Sequence, residues 1–340
     1  TFSVGFEDED FSELPHARRI AERYGTDHHE FVVRPQAAEV LPKLVQHYGE
    51  PYADSSALPT YYLSKVTADH VTVALNGDGG DELFAGYDRY RVLSAYRALG
   101  AIPGGRRVFS ALAGAAGGAV PVRIRRFLEA VSATPEESYA RTVSYFSPEE
   151  KRRIYSAQMH AEVGSLDSYE LLYSRYAESD AEDLLGRTLY ADAMTYLPDD
   201  LLVKVDIASM SVSLEGRSPF LDHPLAEFAA RLPSRFKQRR GRGKHILRTA
   251  VSDLLPLEIL RRRKMGFGIP LARWFRGELR EMLRDVVLSP RAAARPFFDE
   301  ASVRALVEEH ASGRRDHGVR LWALLMLELW ARRFLDEAVT

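Results

Sequence analysis

The chain contains no cysteine. Disulfides, thiolate zinc sites and cysteine nucleophiles are therefore excluded, and the absence fits a cytosolic protein without requiring one. A signal-peptide pattern is lacking as well. So is any run able to span a bilayer: the most apolar stretch, residues 319–335, carries Arg320, Glu328, Arg332 and Arg333 and is too short and too charged. It reads instead as an amphipathic helix against the core. Net charge is close to nil, −2 over 340 residues, so no general attraction to nucleic acid or to an anionic membrane is expected. Internal repeats and long disordered tracts are also missing. What is present is an ordinary globular composition, 46% hydrophobic and 28% charged, in a chain long enough to bury one large core or two modest ones.

Residues 1–6 (TFSVGF) alternate polar and apolar side chains as a strand does. The chain starts within that strand, which gives the expectation of a piece cut from a longer domain. Ser12 is placed to cap a helix running to Tyr24, closed by Gly25. Residues 28–33 predict a second strand, and helices follow over 36–48 and 57–68. The run VTVAL (71–75) reads as a short buried strand. It empties into NGDGGDE and then a helix. Strands alternating with helices predict a parallel sheet covered on both faces, with ligands at the carboxyl ends of its strands. Residues 98–120, rich in Ala, Gly and Pro, read as weak helix and loop. From about residue 125 the signals are helical, most clearly over 190–210 and 244–255. The expected organisation is an α/β core over 1–95, a mainly helical insertion over 96–190 and a helical portion over 191–340, packed together without a linker.

Four segments could carry chemistry. In Asn76-Gly77-Asp78-Gly79-Gly80-Asp81-Glu82, the glycines allow a ligand close to the backbone. A strand before and a helix after place free N–H groups at a helix start, where anions bind. Asp81 and Glu82 suit phosphate only if a hard cation such as magnesium joins them; the plainer alternative is an acidic turn capping a helix. In the basic run 239–248, Lys244 stands at a helix start, where it opposes the dipole unless an anion is near; a solvated loop is the alternative. Between 197 and 222, the charged residues Asp199, Asp200, Lys204, Asp206, Glu215, Arg217 and Asp222 mix with apolar ones. They are either surface pairs or a buried polar network, with Asp200 and Lys204 on one helix face. Lys264, in a Gly- and Pro-rich turn (264–270), could reach an anion or face water. His28 and His29, adjacent on a strand, point to opposite faces, and structural roles are expected for both.

These segments, taken in order, resemble the asparagine synthetase family. The resemblance is carried by TFSVGFED, ARRIAERYGTDHHEFVV, EPYADSSALPTYYLS, VTVALNGDGGDELFAGYDRY, DLLVKVDIASMSVSLEGRSPFLDH, GKHILR and KMGFGIP. It implies a PP-loop ATP-pyrophosphatase fold, a doubly wound parallel α/β sheet with a large helical portion. It also implies the C-terminal synthetase half of a glutamine-hydrolysing enzyme. The implied reaction joins aspartate to AMP, releases pyrophosphate and lets ammonia displace AMP to give asparagine, with ATP and Mg2+ as cofactors. By the same resemblance Lys244 matches the catalytic lysine, with Asp200 and Lys204 beside it in the reacting site. Asp81 matches the magnesium ligand. Val4 and Gly5 match the strand end that meets adenine, and Asn76, Gly77, Asp78, Gly79 and Gly80 match the nucleotide loop.

The chain departs from the family pattern in places. Asn76 stands where serine is frequent, and Asp78 where related members carry glutamate. The pyrophosphate motif SGG-x-DS, expected on a strand before TFSVGF, does not occur, nor does the ammonia-supplying glutaminase domain. Two other outcomes are therefore kept beside asparagine formation: a related synthetase that closes a β-lactam or lasso-peptide ring, and a fragment inactive by itself. Loss of a central strand would leave open edges, which gives the expectation that two copies associate.

Overall fold

The computed structural model describes residues 1–8, 11–34, 39–100, 102–115, 122–262 and 265–336. Its first part runs β1 (Phe2–Phe6), α1 (Leu14–Tyr24), β2 (His29–Val33), α2 (Leu41–Tyr48), α3 (Ala57–Ala68), β3 (Val73–Leu75), α4 (Gly80–Phe84) and α5 (Asp88–Gly100). Helices then succeed one another to Asp336, interrupted by the short strand β4 (Glu215–Arg217). The chain is thus α/β and rich in helix.

Both strand pairs are parallel. Phe2 lies opposite His29 and Phe6 opposite Val33, while Val73 lies opposite Glu215 and Leu75 opposite Arg217. Among the described residues they form two separate two-stranded sheets. This changes the expectation for VTVAL. Its apolar residues suit burial on both faces, yet Val73 is 37% exposed and Leu75 73% exposed. A parallel strand is buried when neighbours flank both its edges and helices cover its faces; among the described residues β3 has a strand on one edge only. β4, with sequence EGR, has no apolar alternation and was not foreseen.

Local boundaries follow local chemistry. Gly25 closes α1 in the left-handed conformation, φ 59°, as expected of a helix-ending glycine. Ser12 does not cap that helix: the cap position is Glu13, without a side-chain hydrogen bond. The Ser12 hydroxyl lies instead against β1, where a Cβ on Gly5 would overlap it. The helix expected over 36–48 is α2 from Leu41, with 36–38 outside the described residues. The continuous helix expected over 190–210 is three pieces: Leu184–Met194, a π-helix over Leu197–Leu202, and Val203–Met210. That expected over 244–255 is helical only from His245 to Ala250. In the Ala/Gly-rich stretch, Gly105–Ala115 is helix, while 116–120 lies outside the described residues.

The main core joins the start of the chain to its end. Val4 and Phe6 of β1, Leu41 and Leu44 of α2 and Leu58 of α3 share one buried cluster with Leu321, Trp322 and Leu325 of the helix Gly318–Ala331. Full burial of such side chains stabilises by about 1.5–3 kcal/mol each. That terminal helix is amphipathic, as the sequence predicts: Val319 is exposed while Leu321 and Leu325 are fully buried. A second cluster gathers Tyr90, Leu93, Tyr139, Tyr176 and Leu189. Among the described residues no helix is long and apolar enough to cross a membrane.

Candidate active site

The acidic loop joins β3 to α4 and is held by the segment that follows β4. The Asn76 N–H donates to the Arg217 carbonyl at 2.9 Å. The Asn76 Oδ1 accepts the Ser218 hydroxyl, and the Asp78 N–H at 3.3 Å. Gly79 is left-handed, φ 84°, and any Cβ there would overlap Leu221. A Cβ on Gly80 would touch the Phe220 ring at 3.2 Å. Gly77 differs: a Cβ there would meet nothing within 4 Å, so this part of the loop faces open space. α4 is a single turn, so its dipole contributes little to anion binding.

At the loop's end, Lys244 Nζ lies 2.9 Å from Asp81 Oδ1, with the side chains 26% and 13% exposed. Backbone geometry fixes the approach. Lys244 is left-handed, φ 54°, and its N–H donates to the Phe84 carbonyl at 2.7 Å. Two glycines make room: a Cβ on Gly86 would overlap Asp81 Oδ1 and Lys244 Cε, and one on Gly243 would overlap the Ala85 carbonyl. The sequence places an anion near Lys244, and the structure supplies one from within the chain, the Asp81 carboxylate. Magnesium completed by phosphate oxygens uses one or two carboxylates. Asp81 offers one carboxylate at the end of a loop exposed at Gly77 and buried at Gly79 and Gly80, and no group of three or more metal-ligating side chains occurs among the described residues.

A second cluster forms where α3 meets the π-helix. Lys204 Nζ lies 2.9 Å from Asp54 Oδ2. Asp54 also accepts the Ser56 N–H and hydroxyl at 2.8 Å. The Tyr52 hydroxyl reaches both the Asp200 carbonyl and Oδ1 at 2.7 Å. Tyr52 stacks on Tyr48, centroids 4.3 Å apart, and the Tyr48 hydroxyl donates to the Lys204 carbonyl at 3.0 Å. Burial, reinforced by the charge of Asp54, pushes the Asp200 carboxyl above its usual range. Asp200 and Lys204 are thus brought together, and Asp54 is a partner that the sequence did not single out. Its place just before α3, two residues ahead of Ser56, has the pattern of a helix-entry turn, which hides its pairing with Lys204. The other charges in 197–222 take the surface alternative. Asp199, Asp206 and Asp222 are exposed, and Glu215 pairs with Arg217 at 2.7 Å on the surface.

Val4 is buried in the main core. Gly5 is small because Ser12 and Leu14 occupy the space a Cβ would need. Both lie in the β1–β2 sheet, apart from the sheet that carries Asn76 to Asp81. His28 approaches Glu30 at 3.3 Å and His29 approaches Asp27 at 3.2 Å, while the His29 ring packs on Phe2 and His70. Lys264 lies outside the described residues.

Comparison with known proteins gives a consistent result. The family model for asparagine synthase matches residues 1–332. Asparagine synthetase [glutamine-hydrolyzing] 1 of Bacillus subtilis is 31% identical over 346 aligned residues, covering 100% of this chain and 54% of that protein. A putative asparagine synthetase [glutamine-hydrolyzing] of Mycobacterium bovis is 35% identical over 347, covering 100% of this chain and 51% of that protein. Amidase chyE of Penicillium rubens is 26% identical over 358, covering 94% and 50%. The chain therefore spans about half the length of the curated relatives it matches.

Proposed function

The chain belongs to the asparagine synthase family, and on that premise we propose that it is the ATP-dependent amide-forming part of an enzyme that makes asparagine from aspartate. The observation that carries this reading is the Asp81–Lys244 pair at 2.9 Å, an acid and a base set against a glycine loop that is open at Gly77. In the proposed reaction an oxygen of the aspartate β-carboxylate attacks the α-phosphorus of ATP. The bond to the β-phosphate oxygen breaks and pyrophosphate leaves. Ammonia then attacks the acyl carbon of β-aspartyl-AMP and expels AMP, losing a proton to give the amide.

Each candidate residue has a place in this scheme. Lys244 stabilises negative charge on the phosphates or on the tetrahedral intermediate. Magnesium held by Asp81 and phosphate oxygens would neutralise the leaving pyrophosphate. Asn76, Gly77, Asp78, Gly79 and Gly80 present the backbone to the nucleotide, with Val4 and Gly5 at the adenine end. Lys204, between Asp54 and Asp200, offers the mixed charge that suits an amino acid with an ammonium and carboxylates. The open edges of β1 and β3 suit a further strand between them, bearing the SGG-x-DS motif and uniting the two sheets into one doubly wound sheet.

The test is product analysis on the full-length protein with aspartate, ATP, magnesium and ammonia. Asparagine, AMP and pyrophosphate are expected in equal amounts. Lys244→Ala should lower kcat by about a hundredfold or more, on the order of 3 kcal/mol of transition-state stabilisation. ADP and phosphate as products would overturn the adenylation mechanism, and near-normal turnover in the variant would remove Lys244 from it.

A further inference from the structure

We propose that Arg89 is a positioning residue that ties the acidic loop to the π-helix, so that ATP and the acid substrate bind as a coupled pair. The inference rests on the asparagine-forming reading above and adds to it a residue outside both clusters. Arg89 lies in the first turn of α5, directly after the loop and α4. Its guanidinium carbon is 4.1 Å from the Tyr87 ring centroid and 4.5 Å from that of Tyr196. Both lie within the range of a favourable cation–π contact.

The guanidinium has little freedom to leave this position. Arg89 Nη2 donates to Asp192 Oδ2 at 2.8 Å. The same carboxylate accepts the Tyr90 and Tyr139 hydroxyls, each at 2.5 Å. Asp192 is 1% exposed and Arg89 17%. A buried ion pair whose remaining lone pairs are satisfied is held in one geometry, because any displacement leaves charge unpaired in a poorly polarisable interior.

The two rings lead to different elements. The Tyr87 hydroxyl donates to Glu82, which is 2% exposed and neighbours Asp81, the partner of Lys244. Tyr196 immediately precedes the π-helix that carries Asp200. Burial raises the Tyr196 phenol to about 12 against the pull of Arg89, with Asp200 and Asp54 adding to the rise. Tyr196 therefore touches Arg89 and, one residue ahead of the π-helix, stands in the field of Asp200 and Asp54. Phosphates settling on Lys244, with a cation between them and Asp81, would press on Glu82 and Tyr87, and Arg89 would pass that displacement to Tyr196 and the π-helix. The two rings meet edge to face, centroids 6.0 Å apart and planes at 73°, and a planar cation can lie in the corner between them while pairing through its edge with Asp192; an ammonium has no plane to stack there.

Coupling of this kind is reciprocal: each substrate changes the other's affinity by the same factor. The experiment measures the aspartate KM of the full-length protein at low and at saturating ATP, by AMP release. The wild-type ratio is expected to be about fivefold or more. Arg89→Lys keeps the charge beside Asp192 but loses the planar contact with the two rings. Tyr196→Leu leaves the Arg89–Asp192 pair intact and removes one of the two rings. Each should bring the ratio to within about twofold of one, with thermal unfolding recorded alongside. If Arg89→Lys does not fold, Tyr196→Leu decides. A wild-type ratio of one, or a ratio kept at the wild-type level in a folded variant, overturns the coupling alone. A wild-type protein that forms no aspartate-dependent AMP overturns the coupling and the proposed function together.

Discussion

Lys204 Nζ and Asp54 Oδ2 meet at 2.9 Å although 150 residues separate them in sequence, and their side chains are only 8% and 16% exposed. The pair joins α3 to the helix Val203–Met210 through opposite charges with little water to screen them. Breaking a buried pair from one side costs more than the pair is worth, because the remaining charge stays desolvated. Lys204→Met should therefore destabilise the chain by roughly 3–5 kcal/mol. Asp54→Asn combined with Lys204→Met should recover much of that loss. Urea denaturation of the two single variants and the double variant checks this; additive losses would show that the two side chains do not act as a pair.

Gly86 leaves room for the contact between Asp81 and Lys244. Its replacement by alanine puts a methyl group where Asp81 Oδ1 and Lys244 Cε now lie, and the two ends must part. Overpacking of this kind costs about 1–3 kcal/mol, less than the stability of a typical domain. Gly86→Ala is thus expected to stay folded while its AMP release falls at least tenfold. Wild-type turnover in a folded variant would show that the approach of Lys244 to Asp81 is not needed for catalysis.

Asp200 makes a prediction about pH. Burial and the neighbouring Asp54 hold its carboxyl above the usual range, so the folded chain binds that proton more tightly than the unfolded chain. The associated stability is fully present below the ordinary aspartate value of about 3.9. It is lost as pH rises through the raised value. Asp200→Asn has no proton to lose and can still accept the Tyr52 hydroxyl. The variant should be more stable than wild type at neutral pH, and the difference should shrink as pH falls towards 4. Urea midpoints across that range supply the comparison; a difference independent of pH would assign the effect to packing.

Where sequence and structure agree, the cause is local. α3 occupies the predicted 57–68, and Gly25 ends α1 as a left-handed cap. The glycine loop falls between a strand and a helix as its composition requires. What stayed hidden depends on distant partners. β4 is three polar residues whose strand character comes from pairing with β3. Asp54 looks like part of a helix-entry turn until Lys204 arrives from the far side of the chain. Arg89 is one arginine among many in the sequence, and its importance appears only when Tyr196 and Asp192 close around it. The exposure of Leu75 was equally invisible, since an apolar run carries no information about which of its edges has a neighbour.

The π-helix over Leu197–Leu202 makes the placement of Asp200 a matter of residue count as well as residue type. A π turn accommodates more residues than an α turn. Shortening this segment by one residue would let it relax to ordinary α-helix. About five residues wound as α cover nearly the rotation that six cover as π, so the flanking helices would keep their orientation while side chains inside the segment are redistributed. A deletion at 201 or 202 would bring Asp200 and Lys204 from four residues apart to three and shift Asp200 from its place beside Tyr52, with its chemical identity unchanged. At 201 or 202 a deletion should therefore be worse tolerated than most substitutions, and chain length becomes a specification of the site in its own right.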